Sequence, residues 1–244
     1  MNDLETILKD MAKSRPVFHN EQDFQFEYAW QIKTKFPEWK IRFERPFEFE
    51  QKDGRIDLWL EGDVTYVIEL KYPHRNLIPE HYLDEETGEK KTRDGRCKIN
   101  DEDFCLKDHG ANDFAGYEFF RDVSRMEEVK TRHPEVRTFA IILTNMAALW
   151  DWKNRNEERY WDEFRMYDGR VIDNQICDWK GGKGNHGDKE EPITLKGRYE
   201  FHWQEYSEGW FDPSVDKNTI KWLPPEHGTP LPGGKFRYLF VEIS

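Results

Sequence analysis

The chain has no long apolar segment. No stretch approaches the roughly 18 consecutive apolar residues of a membrane span, and the segment from Met1 to Arg15 has no apolar core like that of a signal peptide. This pattern predicts a cytoplasmic protein with no membrane partner.

Cysteine is scarce, and the chain has neither a paired-cysteine zinc motif nor a phosphate-binding loop. An odd set of three cysteines, Cys97, Cys105 and Cys177, favours reduced thiols over a disulfide framework. Cys97, Cys105 and His109 are a weak zinc candidate, because there is no Cys-x-x-Cys pair and no evident fourth ligand. The glycine-rich segment 181–187 lacks the Gly-Lys-Ser/Thr ending of a phosphate loop, so we interpret it as a linker.

Apolar residues make up only 36% of the chain, but aromatic residues contribute 15% and bury a large area each. A length of 244 residues suits one α/β domain with insertions. We expect a single domain over 1–244, with a core at about 20–165, a loop insertion at 73–110 and a C-terminal β extension at 190–244. The net charge of −12 disfavours nonspecific binding to nucleic acid, since phosphate contacts are the main source of that affinity.

Hydrophobic periodicity predicts helices and strands in a definite order. Asn20 is a good N-cap, and helical spacing of apolar residues follows it up to Pro37, with Glu27 beside the apolar stripe. The predicted elements are a helix at 21–35, strands at 41–50, 55–61 and 64–72, an exposed hairpin or mobile loop at 84–91, a helix at 112–132, a strand at 137–145, a helix at 152–164, and an antiparallel pair at 198–206 and 236–243. This order predicts an α/β (α+β) fold, a central mixed sheet flanked by helices with a C-terminal antiparallel extension.

Two neighbouring strands carry ionisable residues on one face. Side chains alternate along a strand, so Glu69 and Lys71 point to the same side, and Asp57 lies in the middle of the preceding strand. In a hairpin, Asp57 and Glu69 share a face only if the numbers of paired residues sum to an even value, as when 57 pairs with 69 or with 67. That register requires a connection of about three residues near Gly62, or a bulge, whereas a strict two-residue turn would separate the carboxylates.

Two carboxylates that meet on a sheet can hold a hard cation such as Mg²⁺, which prefers oxygen ligands. The ammonium of Lys71 would then lie beside the metal-bound water and the scissile phosphate. The alternative is a solvated strand face on which Glu69 and Lys71 form an ordinary ion pair.

The motif resembles that of the PD-(D/E)XK nuclease superfamily, which has the restriction-endonuclease-like fold. Asp57, eleven intervening residues and then Glu69-Leu70-Lys71 match its acid and acid-any-lysine signature, and the order helix, three strands, helix, strand from about 21 to 145 fits as well. Ile56 stands where many members have proline.

The resemblance implies a role for each residue. Asp57, Glu69 and the main-chain carbonyl of Leu70 would ligate Mg²⁺, with Mn²⁺ as a substitute, and Lys71 would orient or activate the attacking water. Glu27 would contribute from the first helix through a metal-bound water or a second ion. The implied function is an endonuclease that hydrolyses phosphodiester bonds of DNA in restriction, defence or repair.

The second long helix offers two supporting candidates. Tyr117 and Arg121 stand at i and i+4, and the equivalent helix of the resembled fold often lends polar residues to the site. Asp122 and Arg125 of the same helix read more simply as a helix-surface ion pair.

A basic segment within the predicted loop insertion at 73–110 is a candidate DNA contact. Its members are Lys90, Lys91, Arg93, Arg96 and Lys98. A basic loop that leaves the strand of Lys71 can reach a phosphate backbone. The competing interpretation is a solvated loop whose charge is balanced by the neighbouring acidic residues.

A second function class stays open. A noncatalytic module with the same fold would bind a protein partner or mimic nucleic acid through its acidity. An intact Asp57, Glu69 and Lys71 favours the nuclease, for which DNA is the expected partner and a homodimer is one way to complete the binding groove.

Overall fold

A computed structural model describes most of the chain. The described residues are 3–50, 53–77, 81–83, 87, 90–92, 96–99, 102–106, 111–151, 158–180, 191–211, 219–220 and 229–244.

The described residues contain three α-helices and two short 3₁₀ turns. The helices are α1 (Asp3–Met11), α2 (Glu21–Lys35) and α3 (Asn112–Arg132), and the turns span Ala147–Leu149 and Asp162–Phe164. None of these helices is long and apolar enough to cross a membrane.

The strands of the described residues are β1 (Lys40–Glu48), β2 (Asp53–Glu61), β3 (Thr65–Lys71), β4 (His81–Leu83), β5 (Lys90–Thr92), β6 (Arg96–Ile99), β7 (Glu102–Cys105), β8 (Arg137–Thr144), β9 (Val171–Cys177), β10 (Ile193–Glu200), β11 (Gln204–Phe211), β12 (Thr219–Ile220) and β13 (Thr229–Ile243). Six of them form a mixed sheet in the order β1-β2-β3-β8-β13-β11. Strand β3 runs parallel to β8, and the other neighbours in this sheet are antiparallel. The predicted α/β class, with a mixed sheet, flanking helices and a C-terminal antiparallel extension, is confirmed.

Helix α2 begins and ends where its sequence signals predict. The side chain of Asn20 accepts a hydrogen bond of 2.9 Å from the backbone N–H of Asp23, which satisfies one free donor of the first turn. At the other end the N–H of Phe36 donates to Ile32, and Pro37 follows. The bounds of α3 also agree with the prediction.

The sheet is covered by different helices on its two faces. Leu58, Ile68 and Leu70 pack with α1 and α2, whereas Val67 and Ala140 pack with α3. Glu69 and Lys71 follow Val67 in the alternation and therefore point toward α3. The charged face of β3 thus meets α3, and α2 packs on the opposite side.

Ile56 does not pack with Leu58, although alternation predicts a shared face. It joins the cluster on the α3 side together with Trp59. The pairing of β2 with β3 stops at Leu58. On the other side of β2, Glu44 of β1 lies opposite Asp57 in an unbroken register and has a positive φ of 50°. We attribute the departure from strict alternation to this local distortion of the backbone, because a residue in the left-handed region interrupts the regular pleat.

Two other predictions are corrected by the structure. The segment 198–206 is divided between β10 and β11, which belong to separate sheets, because the N–H of Phe201 donates to Arg170 and that of Trp203 donates to Asp168. A helix is predicted at 152–164, but the described part of that segment, 158–164, contains only the 3₁₀ turn Asp162–Phe164. Residues 152–157 lie outside the described residues, and so does the predicted linker at 181–187. The hairpin predicted around 84–91 is present as the antiparallel pair of β4 and β5.

Candidate active site

The connection between β2 and β3 sets the register that unites the two predicted carboxylates. Leu58 pairs with Ile68 and Glu61 pairs with Thr65, which leaves a three-residue connection at 62–64. Asp57 and Glu69 are the next residues in this register, so they lie side by side. This is the odd connection that the sequence argument required.

Asp57 is held at the point where the two strands separate. Its Oδ2 accepts a hydrogen bond of 2.7 Å from the backbone N–H of Leu70, and its carbonyl accepts one of 2.9 Å from Gln25 on α2. Burial raises the pKa of Asp57 to about 6, against the opposing effects of Lys71 and the Leu70 N–H. Asp57 is thus a partly desolvated carboxyl whose position is fixed from two sides.

Glu69, the one acid of β3, is enclosed, with 2% of its surface exposed. Its Oε1 accepts no hydrogen bond, and the nearest cation is Arg125 of α3, at 3.1 Å. Burial raises the pKa of Glu69 well above its ordinary value, and the charges of Asp57 and Asp122 raise it further. Glu69 therefore lies in an environment that disfavours its charge unless a cation accompanies it.

Lys71 lies among carboxylates rather than in open solvent. Its Nζ is 3.2 Å from Oδ2 of Asp122 and 3.8 Å from Oε1 of Glu21. Burial alone lowers the pKa of Lys71, but these two acids, together with Asp57 and Glu69, raise it above its ordinary value. The ammonium is held in its charged form beside the two carboxyl groups of the motif.

Asp122 and Arg125 complete the site from α3, although their spacing suggested a surface pair. Asp122 is 1% exposed, and neither of its carboxylate oxygens accepts a hydrogen bond. The signal that could have found it is its place in the buried stripe of α3, since Phe119, Met126 and Val129 lie at helical spacing around it. A charged residue in such a stripe indicates a partner inside the protein.

Glu21, and not Glu27, reaches the site from α2. Oε2 of Glu21 accepts a hydrogen bond of 2.9 Å from the N–H of Tyr72 at the end of β3. Glu27 instead accepts a hydrogen bond from Gln31 of its own helix, and it lies about 200° around the helix from Gln25, which contacts Asp57. Because α2 packs on the other face of the sheet, only its first turns approach the charged residues.

Tyr117 and Arg121 are not brought to these carboxylates. The ring of Tyr117 is buried and stacks on Trp179 at 5.5 Å, and its hydroxyl donates to the carbonyl of Glu191. Arg121 pairs with Glu118 at 3.1 Å. The structure therefore places one candidate in the core and the other on the helix surface.

We call Glu21, Asp57, Glu69 and Asp122 the carboxylate cluster. One side of it opens on a cavity of about 750 Å³. The cavity is lined by residues around the start of α2, the end of β3, one residue of β7 and the start of α3. The lining residues are His19, Asn20, Glu21, Gln22, Lys71, Tyr72, Pro73, His74, Cys105, Ala111, Phe114, Ala115 and Glu118. Lys71 and Glu21 thus belong both to the cluster and to the cavity wall.

The predicted basic segment is described only in part. Arg93 lies outside the described residues, as do the side chains of Lys90, Lys91, Arg96 and Lys98. The main chain of Arg96 pairs with Cys105, a residue of the cavity wall. One end of the segment therefore runs beside the cavity, and contact with DNA stays a prediction.

The carboxylate oxygens of the cluster are the kind of ligand that divalent cations prefer, but they are not arranged as a formed metal site. Four carboxyl groups face two cations, Lys71 and Arg125, and buried oxygens of Glu69 and Asp122 accept no hydrogen bond. Across the described parts of the chain, no group of three or more His, Cys, Asp or Glu side chains is positioned to hold a metal ion. The guanidinium of Arg125 lies between two of the acids that such an ion would need.

No protein-family model matches the chain, and no curated protein or solved structure matches it either. The resemblance to the PD-(D/E)XK superfamily therefore depends on the residues themselves and on the arrangement described above.

Proposed function

We propose that the protein is a metal-dependent nuclease that hydrolyses phosphodiester bonds of DNA at the carboxylate cluster. The observation that carries the proposal is the convergence of Asp57, Glu69 and Lys71, from two strands, in one cluster beside a cavity, with Glu69 buried and the other two partly buried. An ordinary ion pair on a strand face would be exposed, and it would contribute little to stability. Burying several acids together is costly and is typical of functional sites.

Within this proposal each residue has a defined task. Asp57 and Glu69 would hold Mg²⁺ or Mn²⁺, with Asp122 nearby as an additional carboxylate. The bound ion would supply an activated water and stabilise charge on the phosphate. Lys71, which borders the cavity, would place a positive charge beside the scissile phosphate.

Features of the cavity wall support an anionic substrate. The amino-terminal ends of α2 and α3 both border it, and helix amino termini favour anions. The N-cap of α3, Ala111, provides no side-chain hydrogen bond to the first turn. A phosphate backbone entering here would meet two favourable dipoles and Lys71.

The test is a cleavage assay with Mg²⁺ and Mn²⁺ on supercoiled plasmid, linear duplex, single-stranded DNA and RNA. We expect Asp57→Asn and Lys71→Met to abolish divalent-dependent cleavage. The matched controls are Asp53→Asn, an exposed acid on the same strand as Asp57, and Lys40→Met, an exposed lysine on β1. Controls purified in the same way also exclude a contaminating nuclease. Cleavage by Lys71→Met at the rate of the wild type would contradict the mechanism.

The alternative, a noncatalytic module, has one observation in its favour. Lys71 and Arg125 already pair with the acids of the cluster, so the described arrangement is internally neutralised in part. A protein that binds nucleic acid or a protein partner but cleaves none of the four substrates with either metal would support this alternative. A protein that cleaves only with an intact Asp57 would exclude it.

A further inference from the structure

Arg125 is held by four contacts beside two acids of the carboxylate cluster. Its Nη2 lies 3.1 Å from Oε1 of Glu69, and its Nη1 lies 3.5 Å from Oδ1 of Asp122. The guanidinium also lies over the ring of Phe49, 4.3 Å from the centroid, and donates to the carbonyl of Arg55. Its position is therefore set by packing as well as by charge.

The oxygen that Arg125 faces is one that a metal ion would require. Oε1 of Glu69 is buried and accepts no hydrogen bond, so the guanidinium is the nearest group that offsets its charge. Mg²⁺ needs oxygen ligands at about 2.0 to 2.1 Å. A divalent cation bound to this oxygen would repel a guanidinium kept at 3.1 Å.

We propose that Arg125 is an internal counter-cation that competes with the divalent cation for Glu69 and Asp122. In the metal-free protein it holds the two acids together, and metal binding requires the guanidinium to withdraw from Glu69. Arg125 thereby sets the metal affinity of the site. The inference rests on the proposed function, since it takes the metal site at Asp57 and Glu69 from it.

The other contacts of Arg125 would keep it in place during such a withdrawal. The guanidinium carries five N–H donors, and its contacts with Phe49, the Arg55 carbonyl and Asp122 do not involve Glu69. A side chain with these other anchors can release one carboxylate and stay ordered.

Arg132 of the same helix offers a matched control. Its guanidinium lies over a ring, that of Phe47, pairs with a carboxylate, that of Glu128, and donates to a backbone carbonyl, that of Glu48. These are the same kinds of contact that Arg125 makes. Arg132 has no described contact with the carboxylate cluster, so its loss removes an arginine of α3 without changing the charge there.

The experiment measures Mn²⁺ binding to the full chain by electron paramagnetic resonance of free Mn²⁺. Arg125→Met removes the competing charge, and we expect at least about tenfold tighter binding, equivalent to about 1.4 kcal/mol. Arg125→Lys keeps a positive charge, and Arg132→Met leaves the cluster intact. Both should bind Mn²⁺ within about threefold of the wild type, which is a smaller change than the tenfold one expected for Arg125→Met.

Circular dichroism and thermal unfolding show whether each variant is folded. Arg125→Gln, which keeps a donor for the Arg55 carbonyl, is the second neutral variant and should also bind Mn²⁺ more tightly. Unchanged or weaker binding by the folded neutral variants would overturn the inference. An equal gain in Arg132→Met would overturn it too, as would the absence of Mn²⁺ binding by every variant at millimolar metal.

The result separates this inference from the proposed function. Tighter Mn²⁺ binding by the neutral variants, in a protein that cleaves no nucleic acid, would support the competition and contradict the nuclease. Metal-dependent cleavage by a wild type whose Mn²⁺ affinity does not respond to Arg125 would support the nuclease and contradict the competition.

Discussion

Two glutamates are buried to nearly the same extent in opposite surroundings. Glu127 of α3 is 7% exposed, and its carboxylate accepts hydrogen bonds from the N–H groups of Lys196 and Gly197 and from the hydroxyl of Tyr199, at 2.6 to 3.0 Å. Glu69 is 2% exposed, its Oε1 accepts no hydrogen bond, and its charged neighbours are the cations Arg125 and Lys71 and the acids Asp57 and Asp122.

The difference separates a carboxylate with a structural role from one that we propose to be functional. The donors around Glu127 replace the water that it loses on folding, so it can fasten β10 to α3. The surroundings of Glu69 leave its charge poorly compensated, as its raised pKa indicates. A fold gains no stability from such a group, which points to another reason for its presence.

The largest expected effect that would test this comparison is that of Glu69→Gln. Loss of a proposed metal ligand should lower the rate of divalent-dependent cleavage by at least about 100-fold. The free energy of unfolding in urea, measured with a chelator present, should stay equal or rise, because a poorly compensated buried charge is removed and Arg125 keeps Asp122 as its partner. A clear loss of stability with full cleavage would reverse the roles that we assign to Glu69 and Glu127.

Glu127→Ala should produce the opposite pair of results. It leaves the two N–H groups of β10 without their acceptor, so the free energy of unfolding should fall by about 3 kcal/mol. Urea denaturation provides the measurement. Tyr199→Phe, which removes one donor only, should cost about 1 kcal/mol. Equal stability of Glu127→Ala and the wild type would show that this carboxylate has no structural role.

A smaller effect is expected for the two glutamates of α2. Glu21→Gln removes an acid that pairs with Lys71 and borders the cavity, so cleavage should fall by about 10-fold, as for a residue that supports a metal site. Glu27→Gln should leave cleavage unchanged, because Glu27 hydrogen-bonds within its own helix. The rates of the two variants, measured side by side under identical metal conditions, provide the check. A loss in Glu27→Gln equal to that in Glu21→Gln would restore Glu27 to the site.

The smallest change per residue is expected for the basic segment. Replacement of Lys90, Lys91, Arg96 and Lys98 by Gln should weaken DNA binding and reduce the log-log salt slope by nearly one per lost phosphate contact. Binding should be measured by fluorescence anisotropy over a range of salt concentrations. Mn²⁺ affinity is the internal control and should not change. An unaltered salt slope would show that the groove is built from other residues or from a second subunit.

Local features of the fold could be predicted because their causes lie within a few residues. Asn20 and Pro37 mark the ends of α2 through capping and steric exclusion, and neither depends on distant contacts. The parity argument for Asp57 and Glu69 is equally local, since the length of the connection determines which side chains share a face. The division of 198–206 into two strands was missed, because its cause is hydrogen bonding to residues 168 and 170, far away in the chain.

By itself, the sequence determined the order of the elements from α2 to β3 and from α3 to β8, the shared face of Glu69 and Lys71, and the surplus of acids, whereas the register that brings Asp57 beside Glu69 came from the structure. Only the tertiary structure decided which helix covers that face. Because α3 packs there, Asp122 and Arg125 join the site, whereas α2 contributes its first turn through Glu21 and leaves Glu27 outside. Helical periodicity states which residues are neighbours on one helix, but the packing of apolar faces across the sheet determines what those residues meet.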